Sequence, residues 1–455
     1  MTEPFVTPGS GYDWFAPWAE NEGINQDAAR SNFVWTYYYK FIQTANNVLS
    51  TINEETATDE QKGYIAAAKA FRALAYLDLG RMYEYLPTDV TKGVNADGND
   101  VTGLTVPIVK EGMAEADARN NPRVKKEDLI KFIKEDLEYA EQNIGKLTKT
   151  EKTLPHLDCV YGLEARLYMW EGDYAKAEAA AGNAIKTSSV QPMTQAQCLN
   201  TTTGFNNLAD FMWGSQQTSE DVVVSTGIVN WISFMCNEQT FGYCGAGTGD
   251  YIRIDTLAYN RLNDTDFRKL EWVAPAGSPI ADKVSFVNKT YGASMPPMAS
   301  VKFRPNQGEM DAPSVAAATA FPVMRVEEMY YIRMEAAAQQ DAAKGKELLE
   351  LFMKTRDPKY TCKATSKEDI IKEIYFQKCI DLWGEGITFF DMKRLNYSLT
   401  RGYHGTNHSV GARINTNGRP ATTNFLFYRT EAENNTALKG WNNPDPSGKY
   451  PLWTE

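Results

Sequence analysis

Apolar side chains recur every three or four residues over several segments of the chain, which is the spacing of one face of an α-helix. Residues Thr58 and Gln61, and likewise Ser366 and Asp369, have the residue types and the spacing of helix N-caps. These patterns predict a mostly α-helical protein. The predicted helices cover about 33–52, 58–85, 124–144, 323–340, 342–355, 366–383 and 386–396.

A pair of short helices joined by a tight turn at Gly172-Asp173 is predicted over 161–185. Small and aromatic residues recur there at fixed offsets, and small residues let two antiparallel helices approach closely, as in tetratricopeptide repeats. Such a pair cannot bury its apolar face alone, so we expect about four stacked helix pairs. The recurring residues are Tyr161, Ala165, Tyr168, Ala177, Ala181 and Ala184.

Two long segments lack this periodicity and are rich in Gly, Pro, Thr, Asn and aromatic residues. Only short strand-like runs are predicted in the first of them, at 221–224 and 302–304. We therefore expect one domain over 1–455, with a helical scaffold at about 33–187 and 323–396, an irregular insertion at about 188–322 and an irregular tail at 397–455. Loops of this length in a compact protein usually carry function.

Composition and charge exclude several functions. Forty-seven basic and 58 acidic residues give a net charge of −11, which argues against non-specific binding to nucleic acid or anionic lipid. No apolar run approaches the roughly 18 residues that span a bilayer. Six cysteines form no Cys-x-x-Cys pair, and Cys236 and Cys244 are expected either to form a disulfide or to be free thiols.

The sequence contains no catalytic or metal-binding motif. The three histidines have no zinc-ligand spacing, and no Gly-x-Ser-x-Gly is present. Asn95 to Asp100 resembles a calcium loop but lacks the terminal carboxylates, so a surface turn is expected. The residues thus predict no enzyme, no metal and no cofactor, although two glycosidase carboxylates among 58 acidic residues would leave no motif.

Aromatic residues are the informative chemistry, because flat rings stack on the C–H faces of sugars while nearby polar groups bond the hydroxyls. Rings on predicted helices are expected in the core. The glycine-rich run at 241–251 is expected to bend and present its aromatic residues. Rings in the irregular segments are Tyr12, Trp14, Phe15, Trp18, Trp213, Trp231, Tyr243, Tyr251, Trp272 and Tyr291.

Six short segments, in order along 35–394, resemble the SusD-like (RagB/SusD) family of outer-membrane nutrient- and glycan-binding lipoproteins. The last of them resembles the C-terminal signature of that family. The segments are Trp35, Tyr38, Tyr39, Ile42, Ala45 and Asn46; Ala70 to Ala73 with Tyr76; Pro122, Arg123, Asp136 and Leu137; the 161–185 hairpin; Arg325, Glu328 and Tyr330; and Asp381, Leu382, Glu385, Gly386, Asp391 and Arg394.

The resemblance implies a non-catalytic cell-surface protein that captures an oligosaccharide or polysaccharide and delivers it to a TonB-dependent (SusC-like) outer-membrane transporter. It also implies a lipidated Cys upstream of Met1 as the only membrane attachment. The alternative from another class is a tetratricopeptide-type scaffold that binds a peptide or a protein.

The first 32 residues are also irregular and rich in Pro, Gly, Asn and aromatic residues. Because the family's glycan site lies on loops, we expect loop aromatics from this N-terminal segment and from the insertion to converge on one face with a few polar side chains. The candidate ring residues are Trp14, Trp18, Trp213, Trp231, Tyr243 and Trp272. The candidate polar residues are Asn21, Asn237, Gln239 and Arg253.

Overall fold

A computed structural model of the chain describes residues 4–9, 14–226 and 229–455. Within these residues, nine helices have at least eight residues each. They are α1 (Ala29–Thr51), α2 (Asp59–Tyr83), α3 (Lys126–Asn143), α4 (Leu157–Glu171), α5 (Tyr174–Thr187), α6 (Val326–Gln340), α7 (Ala342–Met353), α8 (Lys367–Asp381) and α9 (Thr388–Leu395).

The helix ends follow the signals in the sequence. The Thr58 hydroxyl accepts from the Gln61 amide, and the Gln61 side chain accepts from the Thr58 amide, so the predicted capping box is confirmed. Ser366 caps α8 through the amide of Asp369. Gly172 ends α4 with φ at 90°, a left-handed conformation that glycine adopts without a Cβ clash.

The nine helices form one scaffold in which each helix packs against the next one along the chain. Helix α5 packs directly on α6, although residues 188–325 lie between them. The irregular insertion therefore leaves the helical stack continuous. The protein is mostly α-helical, as expected, and the stack is compatible with four helix pairs. Buried apolar residues from α1 to α6 form its largest core cluster.

Two short antiparallel sheets include strands of the insertion, and one of them also includes an N-terminal strand. In one, β1 (Phe5–Val6) pairs with β3 (Arg253–Ile254); in the other, β2 (Trp213–Gln216) pairs with β4 (Ala320–Met324). The strand-like run predicted at 221–224 is wrong, because Val222–Ser225 is a helical turn. Residues 302–304 are not a strand either, and their side chains are buried.

The remaining elements are short. The helical turns are Ala16–Ala19, Glu115–Ala118, Gln195–Cys198, Val222–Ser225, Trp231–Met235, Thr256–Arg261, Lys289–Ser294, Pro313–Ala316 and Arg429–Asn434. The 3₁₀ turns are Ile144–Lys146, Leu208–Asp210, Phe267–Glu271, Ala281–Lys283, Asn306–Gly308, Val410–Ala412, Ala421–Thr423 and Thr436–Leu438.

The C-terminal tail returns to the end of α2. The Asn424 side chain donates to the carbonyl of Leu86 and accepts from its amide, and Asn443 donates to the carbonyl of Tyr83. The Arg123 guanidinium is buried and donates to five oxygens, including the Trp441 carbonyl. The tail is therefore anchored to the scaffold although it has little regular structure. Among the helices described, none is both long and apolar enough to cross a bilayer.

Candidate functional site

Three aromatic rings from two distant parts of the chain meet at the surface. The Phe234 and Tyr243 rings stack with centroids 5.0 Å apart and planes 8° apart. The Trp14 ring meets both edge-on, at 6.1 Å and 6.2 Å. Trp14 is 50% exposed and the other two are partly exposed. We call Trp14, Phe234 and Tyr243 the aromatic platform.

Buried amides hold the loop that carries Tyr243. Oε1 of the buried Gln239 side chain accepts from the backbone amides of Phe241 and Gly242, and its Nε2 donates to the Cys244 carbonyl. The amide of Tyr243 donates to the Ser233 carbonyl at 2.9 Å, which ties the loop to the turn that carries Phe234. These bonds fix the two stacked rings against each other.

Two glycines of this loop, Gly245 and Gly247, lie where the backbone of a neighbouring segment leaves no space for a side chain. A Cβ on Gly245 or Gly247 would collide with the backbone of Asn237 or Thr240, respectively. Gly245 also has φ at 89°, in the left-handed region that favours glycine. The loop bends as the sequence predicted, and it holds Tyr243 against Phe234.

The N-terminal segment supplies the third ring. Nε of Arg30 donates to the Trp14 carbonyl at 3.0 Å, and the Arg30 guanidinium lies 6.0 Å from the centroid of the Trp14 ring. Phe15 packs edge-on against both Phe234 and Phe5, at 6.2 Å and 5.8 Å, and forms an apolar base. Tyr12, another ring considered from the sequence, lies outside the described residues.

Two of the expected ring residues are in the core instead of on a surface face. Trp213 is 1% exposed on β2 and meets Phe71 edge-on at 4.9 Å. Trp272 is fully buried and meets Trp383 at 5.6 Å and 88°. A ligand at the surface does not reach either ring, because the strand and the bridge that contain them pack against other elements.

The other two expected rings, Trp18 and Trp231, are partly exposed. The ring contacts of both are with residues outside the aromatic platform. Trp18 stacks on Phe425 of the tail at 6.2 Å and 19°. Trp231 stacks on Phe321 at 5.3 Å and 13°, and meets Phe303 edge-on. Both rings therefore already have an aromatic partner on one face.

The expected polar residues mainly support the backbone. The Asn237 side chain is fully buried, donates to the carbonyls of Ile252 and Ser300, and accepts from the Ile252 amide. Asn21 is also buried and donates to the Pro446 carbonyl. These contacts hold loops together and leave neither amide exposed to a ligand.

Arg253 differs from the other polar candidates. It lies on β3 opposite Val6 of β1 and is partly exposed. Its Nε is buried without a hydrogen-bond partner, and burial lowers the pKa of its guanidinium. An unpaired buried donor is costly, so a ligand that accepted a hydrogen bond from Nε of Arg253 would remove this cost.

Phe234 was not among the residues expected from the sequence. It follows Trp231 by three residues in a short helical turn. That spacing places both side chains near one face of the turn. It is the sequence signal from which Phe234 could have been expected beside the candidate Trp231. The candidate rings expected in the insertion were all Trp or Tyr, and Phe residues of the insertion were not among them.

No arrangement typical of a metal site or a disulfide accompanies the platform. The described part of the chain contains no group of three or more His, Cys, Asp or Glu side chains arranged to hold a metal ion. All six cysteines are buried free thiols, and Sγ of Cys244 donates to the Cys236 carbonyl at 3.4 Å. The Asn95 side chain accepts from the amides of Asp97 and Asn99, and thus forms the expected turn.

Fold and site together define a helical scaffold that carries a loop-borne aromatic surface. Two family models match this chain: residues 5–169 match one described as starch-binding and associating with the outer membrane, and residues 242–446 match that of the SusD family. The chain belongs to the SusD-like family, and the resemblance inferred from the sequence is confirmed.

Solved structures show the same fold at low sequence identity. A SusD-like carbohydrate-binding protein from Bacteroides vulgatus ATCC 8482 is 19% identical with a TM-score of 0.75, and the match covers 98% of this chain and 90% of that one. A SusD superfamily protein from Bacteroides thetaiotaomicron VPI-5482 is 18% identical with a TM-score of 0.73, covering 97% and 92%.

A third similar structure is a laminarin-binding SusD-like protein, 16% identical, with a TM-score of 0.66 and coverage of 97% of this chain and 91% of that one. No curated protein sequence matches the chain. At these identities the structural likeness concerns the fold, and the ligand has to be argued from the residues of this chain.

Proposed function

We propose that this protein binds a glycan on the aromatic platform and does not catalyse its cleavage. The observation that carries the proposal is the convergence of Trp14, Phe234 and Tyr243 at the surface from segments about 220 residues apart. The family membership and the laminarin-binding relative support a carbohydrate as the ligand class.

The geometry suits a sugar better than a charged ligand. The exposed Trp14 ring offers a flat apolar face, and the stacked Phe234–Tyr243 pair lies at an angle of about 60 to 70° to it. A pyranose ring has apolar C–H faces and polar hydroxyls at its edge, so it fits an aromatic wall bordered by hydrogen-bonding groups. The Tyr243 hydroxyl and the Arg253 guanidinium are the candidate partners for those hydroxyls.

We further propose that the captured glycan is delivered to a TonB-dependent outer-membrane transporter. In this proposal the protein is held at the cell surface by a lipid anchor upstream of Met1. The matching family model is described as associating with the outer membrane, which supports this location. One acyl chain binds a membrane only marginally, so stable attachment requires more than one.

The binding test begins with a glycan array to identify the ligand, followed by calorimetry on single-residue variants. Trp14→Ala and Tyr243→Ala should each weaken binding about tenfold or more, because a ring stacked in a site contributes on the order of 1 to 3 kcal/mol. The matched control is Trp441→Ala, which removes a 38% exposed Trp in the tail and should leave the affinity unchanged.

Circular dichroism of each variant checks the fold. If folded Trp14→Ala and Tyr243→Ala proteins bind the glycan as tightly as the parent protein, the platform is not the site. If the array shows no glycan and a peptide library gives a ligand whose binding depends on Tyr243, the protein-interaction alternative replaces this proposal.

The location is tested separately with the intact gene. Fractionation of cells that express it should place the product in the outer membrane, and the transporter should co-purify after mild detergent extraction. A product confined to the cytoplasm would contradict the lipoprotein assignment without affecting the glycan-binding test.

A further inference from the structure

A cavity lies inside the helical scaffold, and none of its lining residues belongs to the aromatic platform. It has a volume of about 250 Å³ and is enclosed by α2, α3, α4, α6, α8 and α9, with one residue from the tail. Its charged lining is strongly biased, with seven cations and three carboxylates. The cations are Arg81, Lys126, Arg166, Lys378, Lys393, Arg394 and Arg419, and the carboxylates are Glu84, Glu328 and Asp391.

This bias runs against the charge of the whole molecule, which is −11. Some of the cations are already neutralised within the scaffold. Arg166 binds Glu328 through two hydrogen bonds of 2.8 Å and 2.6 Å, and Lys378 lies 2.6 Å from Asp391. These two pairs use two of the three lining carboxylates, and the third, Glu84, lies 3.6 Å from Nζ of Lys126 and accepts from Nε1 of Trp170.

Arg81 is also paired, with Asp78 at 2.6 Å, whereas Lys393 and Arg419 have no such pairing. Nζ of Lys393 donates to the backbone carbonyls of Met82 and Glu84, at 2.9 Å and 2.7 Å. Arg419 donates to the side-chain oxygen of Asn396 at 2.9 Å. Within the described residues, neither cation forms an ion pair with a carboxylate at 4 Å or less. Neither cation therefore has a direct counter-ion.

Arg394 leaves a further donor available. Its Nη2 binds Glu335 at 2.8 Å and Asp391 at 2.9 Å, whereas its Nη1 is buried with no hydrogen-bond partner. A buried unpaired guanidinium nitrogen is costly unless something accepts from it. The cavity is adjacent, and an acceptor within it would satisfy this nitrogen.

The pKa values of three cations in the cavity lining are lowered, which reflects the cost of burying these positive charges. Burial lowers the pKa of Arg81 and of Arg419, and the nearby charge of Arg166 lowers that of Arg81 further. Burial lowers the pKa of Lys393 to about 7; the charge of Glu84 opposes this shift, and the charges of Arg419, Arg123 and Lys126 add to it. An anion among these groups would offset the mutual repulsion of their charges.

We propose that this cavity binds a small oxyanion of the phosphate or sulfate class, either free or carried on a small organic ligand. The donors are Nη1 of Arg394, the guanidinium of Arg419 and the ammonium groups of Lys393 and Lys126. They come from α9, the tail and the start of α3, and all of them line the cavity, so an oxyanion there would have charged donors from three parts of the chain. Of these donors, Lys126 also lies 3.6 Å from Glu84.

The walls leave room for more than a bare ion. Trp170, Phe390 and Ile332 form an apolar side of the cavity. Lys126 lies 5.2 Å from the centroid of the Trp170 ring, and Arg81 lies 3.7 Å from that of Phe390. A carbon skeleton attached to the oxyanion would lie against these rings. The proposal is independent of glycan binding on the platform.

The test uses the full chain and inorganic phosphate as the probe. Calorimetry and thermal unfolding at constant ionic strength should show that phosphate and sulfate bind and raise the melting temperature, while chloride does not. A hexose phosphate compared with the same hexose and with inorganic phosphate distinguishes the two sources. Tighter binding of the hexose phosphate indicates an organic ligand, and equal binding indicates the free ion.

Arg419→Ala is the decisive variant, because Arg419 is partly exposed and the substitution removes only one side-chain hydrogen bond, from Nε of Arg419 to Asn396. It should weaken phosphate binding about tenfold or more, since a charge-assisted hydrogen bond is lost. The matched control is Arg119→Ala, which removes the same charge from a surface turn where Arg119 pairs with Glu115. The control should bind phosphate like the parent protein.

Lys126→Ala is a second variant with a partly exposed side chain, for use if Arg419→Ala does not fold. Equal binding by the parent protein and by a folded variant of Arg419 or Lys126 would overturn the proposal. An identical response to phosphate and chloride in the parent protein would also overturn it, because non-specific screening treats the two alike at constant ionic strength.

Discussion

The α4–α5 hairpin and the insertion are stabilised by different means. In the hairpin, Ala165, Ala177 and Ala181 are fully buried at the contact between the helices, and the backbone groups are satisfied within each helix. The insertion has little regular structure, so its backbone has to be satisfied by side chains. Asn237 alone makes three hydrogen bonds to backbone groups of residues 252 and 300.

Buried charges join the insertion to the helices that follow it. Nζ of Lys302 lies 2.8 Å from Glu385, and Arg325 lies 2.9 Å from the same carboxylate. Asp381 of α8 lies 3.7 Å from Arg268 of the insertion, and it also accepts from Arg356 at 2.9 Å and from the Tyr331 hydroxyl at 3.1 Å. The nearby guanidinium groups lower the pKa of Asp381 despite its burial.

The hairpin and the insertion therefore specify their structures by different interactions. Apolar contacts between helices depend mainly on side-chain volume and periodicity, whereas the insertion depends on particular donors meeting particular acceptors. A buried ion cluster is not by itself evidence of high stability, but removing one member leaves uncompensated charge. The insertion should therefore be more sensitive to polar substitutions, and the hairpin to changes in volume.

The largest effect is expected from Asp381→Asn. The substitution keeps the side-chain volume and leaves the buried guanidinium groups of Arg268 and Arg356 without this carboxylate. We expect a loss of about 3 to 5 kcal/mol in the free energy of unfolding, measured by urea denaturation. Asp282→Asn, at an exposed site in the insertion, is the control and should change it by less than about 0.5 kcal/mol. Equal midpoints for the two variants would contradict the role of the cluster.

Glu271→Gln should reveal a pH-dependent cost in the insertion. Burial raises the pKa of Glu271 to about 7, and its Oε2 has no hydrogen-bond partner. The folded protein retains this proton while the unfolded chain releases it, so stability is fully present below about pH 4.5 and falls as the pH rises to about 7. The neutral variant should be more stable than the parent protein at pH 8, by up to about 3 kcal/mol.

Denaturation at pH 5 and pH 8 measures this difference, which should shrink at pH 5. Glu220→Gln, at an exposed position, should show the same small difference at both pH values. A stability difference for Glu271→Gln that does not depend on pH would show that the Glu271 carboxyl has an ordinary pKa.

Ala177→Leu tests the hairpin by volume. Ala177 is fully buried, so the larger side chain should overpack the contact and cost roughly 1 to 3 kcal/mol. Ala175→Leu introduces the same side chain at an exposed position of α5 and should have little effect. If both variants unfold at the same denaturant concentration, the small residues do not set the distance between these helices.

The smallest effect is expected from Thr58→Ala at the start of α2. The substitution removes the hydroxyl that accepts from the Gln61 amide, and loss of an N-cap costs about 1 kcal/mol. Thermal unfolding measures the change. Thr56→Ala, two residues earlier and outside the cap, is the control and should melt like the parent protein. A melting temperature of Thr58→Ala that matches this control would argue that the cap does not contribute.

Most of the helical scaffold could be predicted because its signals are local. The start of α2 at Asp59 and that of α8 at Lys367 follow cap residues that the sequence identifies. The hairpin turn at Gly172 follows from a glycine after a periodic run. Predicted and observed helix ends otherwise differ by a few residues, which is the usual uncertainty of such boundaries.

The candidate site could be predicted only in part. Trp14 and Tyr243 were expected from their place in irregular segments, and the structure places them beside each other with Phe234. The same reasoning placed Trp213 and Trp272 at the surface, and both are buried. A ring in an irregular segment has no periodic partner in the sequence, so its burial depends on which distant segment covers it.

The helices, their caps and the small residues at helix contacts can be predicted from the sequence, because they depend on neighbours within about four positions. Which rings remain exposed and which cations line the scaffold cavity depends on contacts between distant segments of the folded chain. Lys126, Lys393 and Arg419 are far apart along the chain and meet only when the tail returns to the helices. Such contacts depend on the path of the whole chain, which local patterns do not specify.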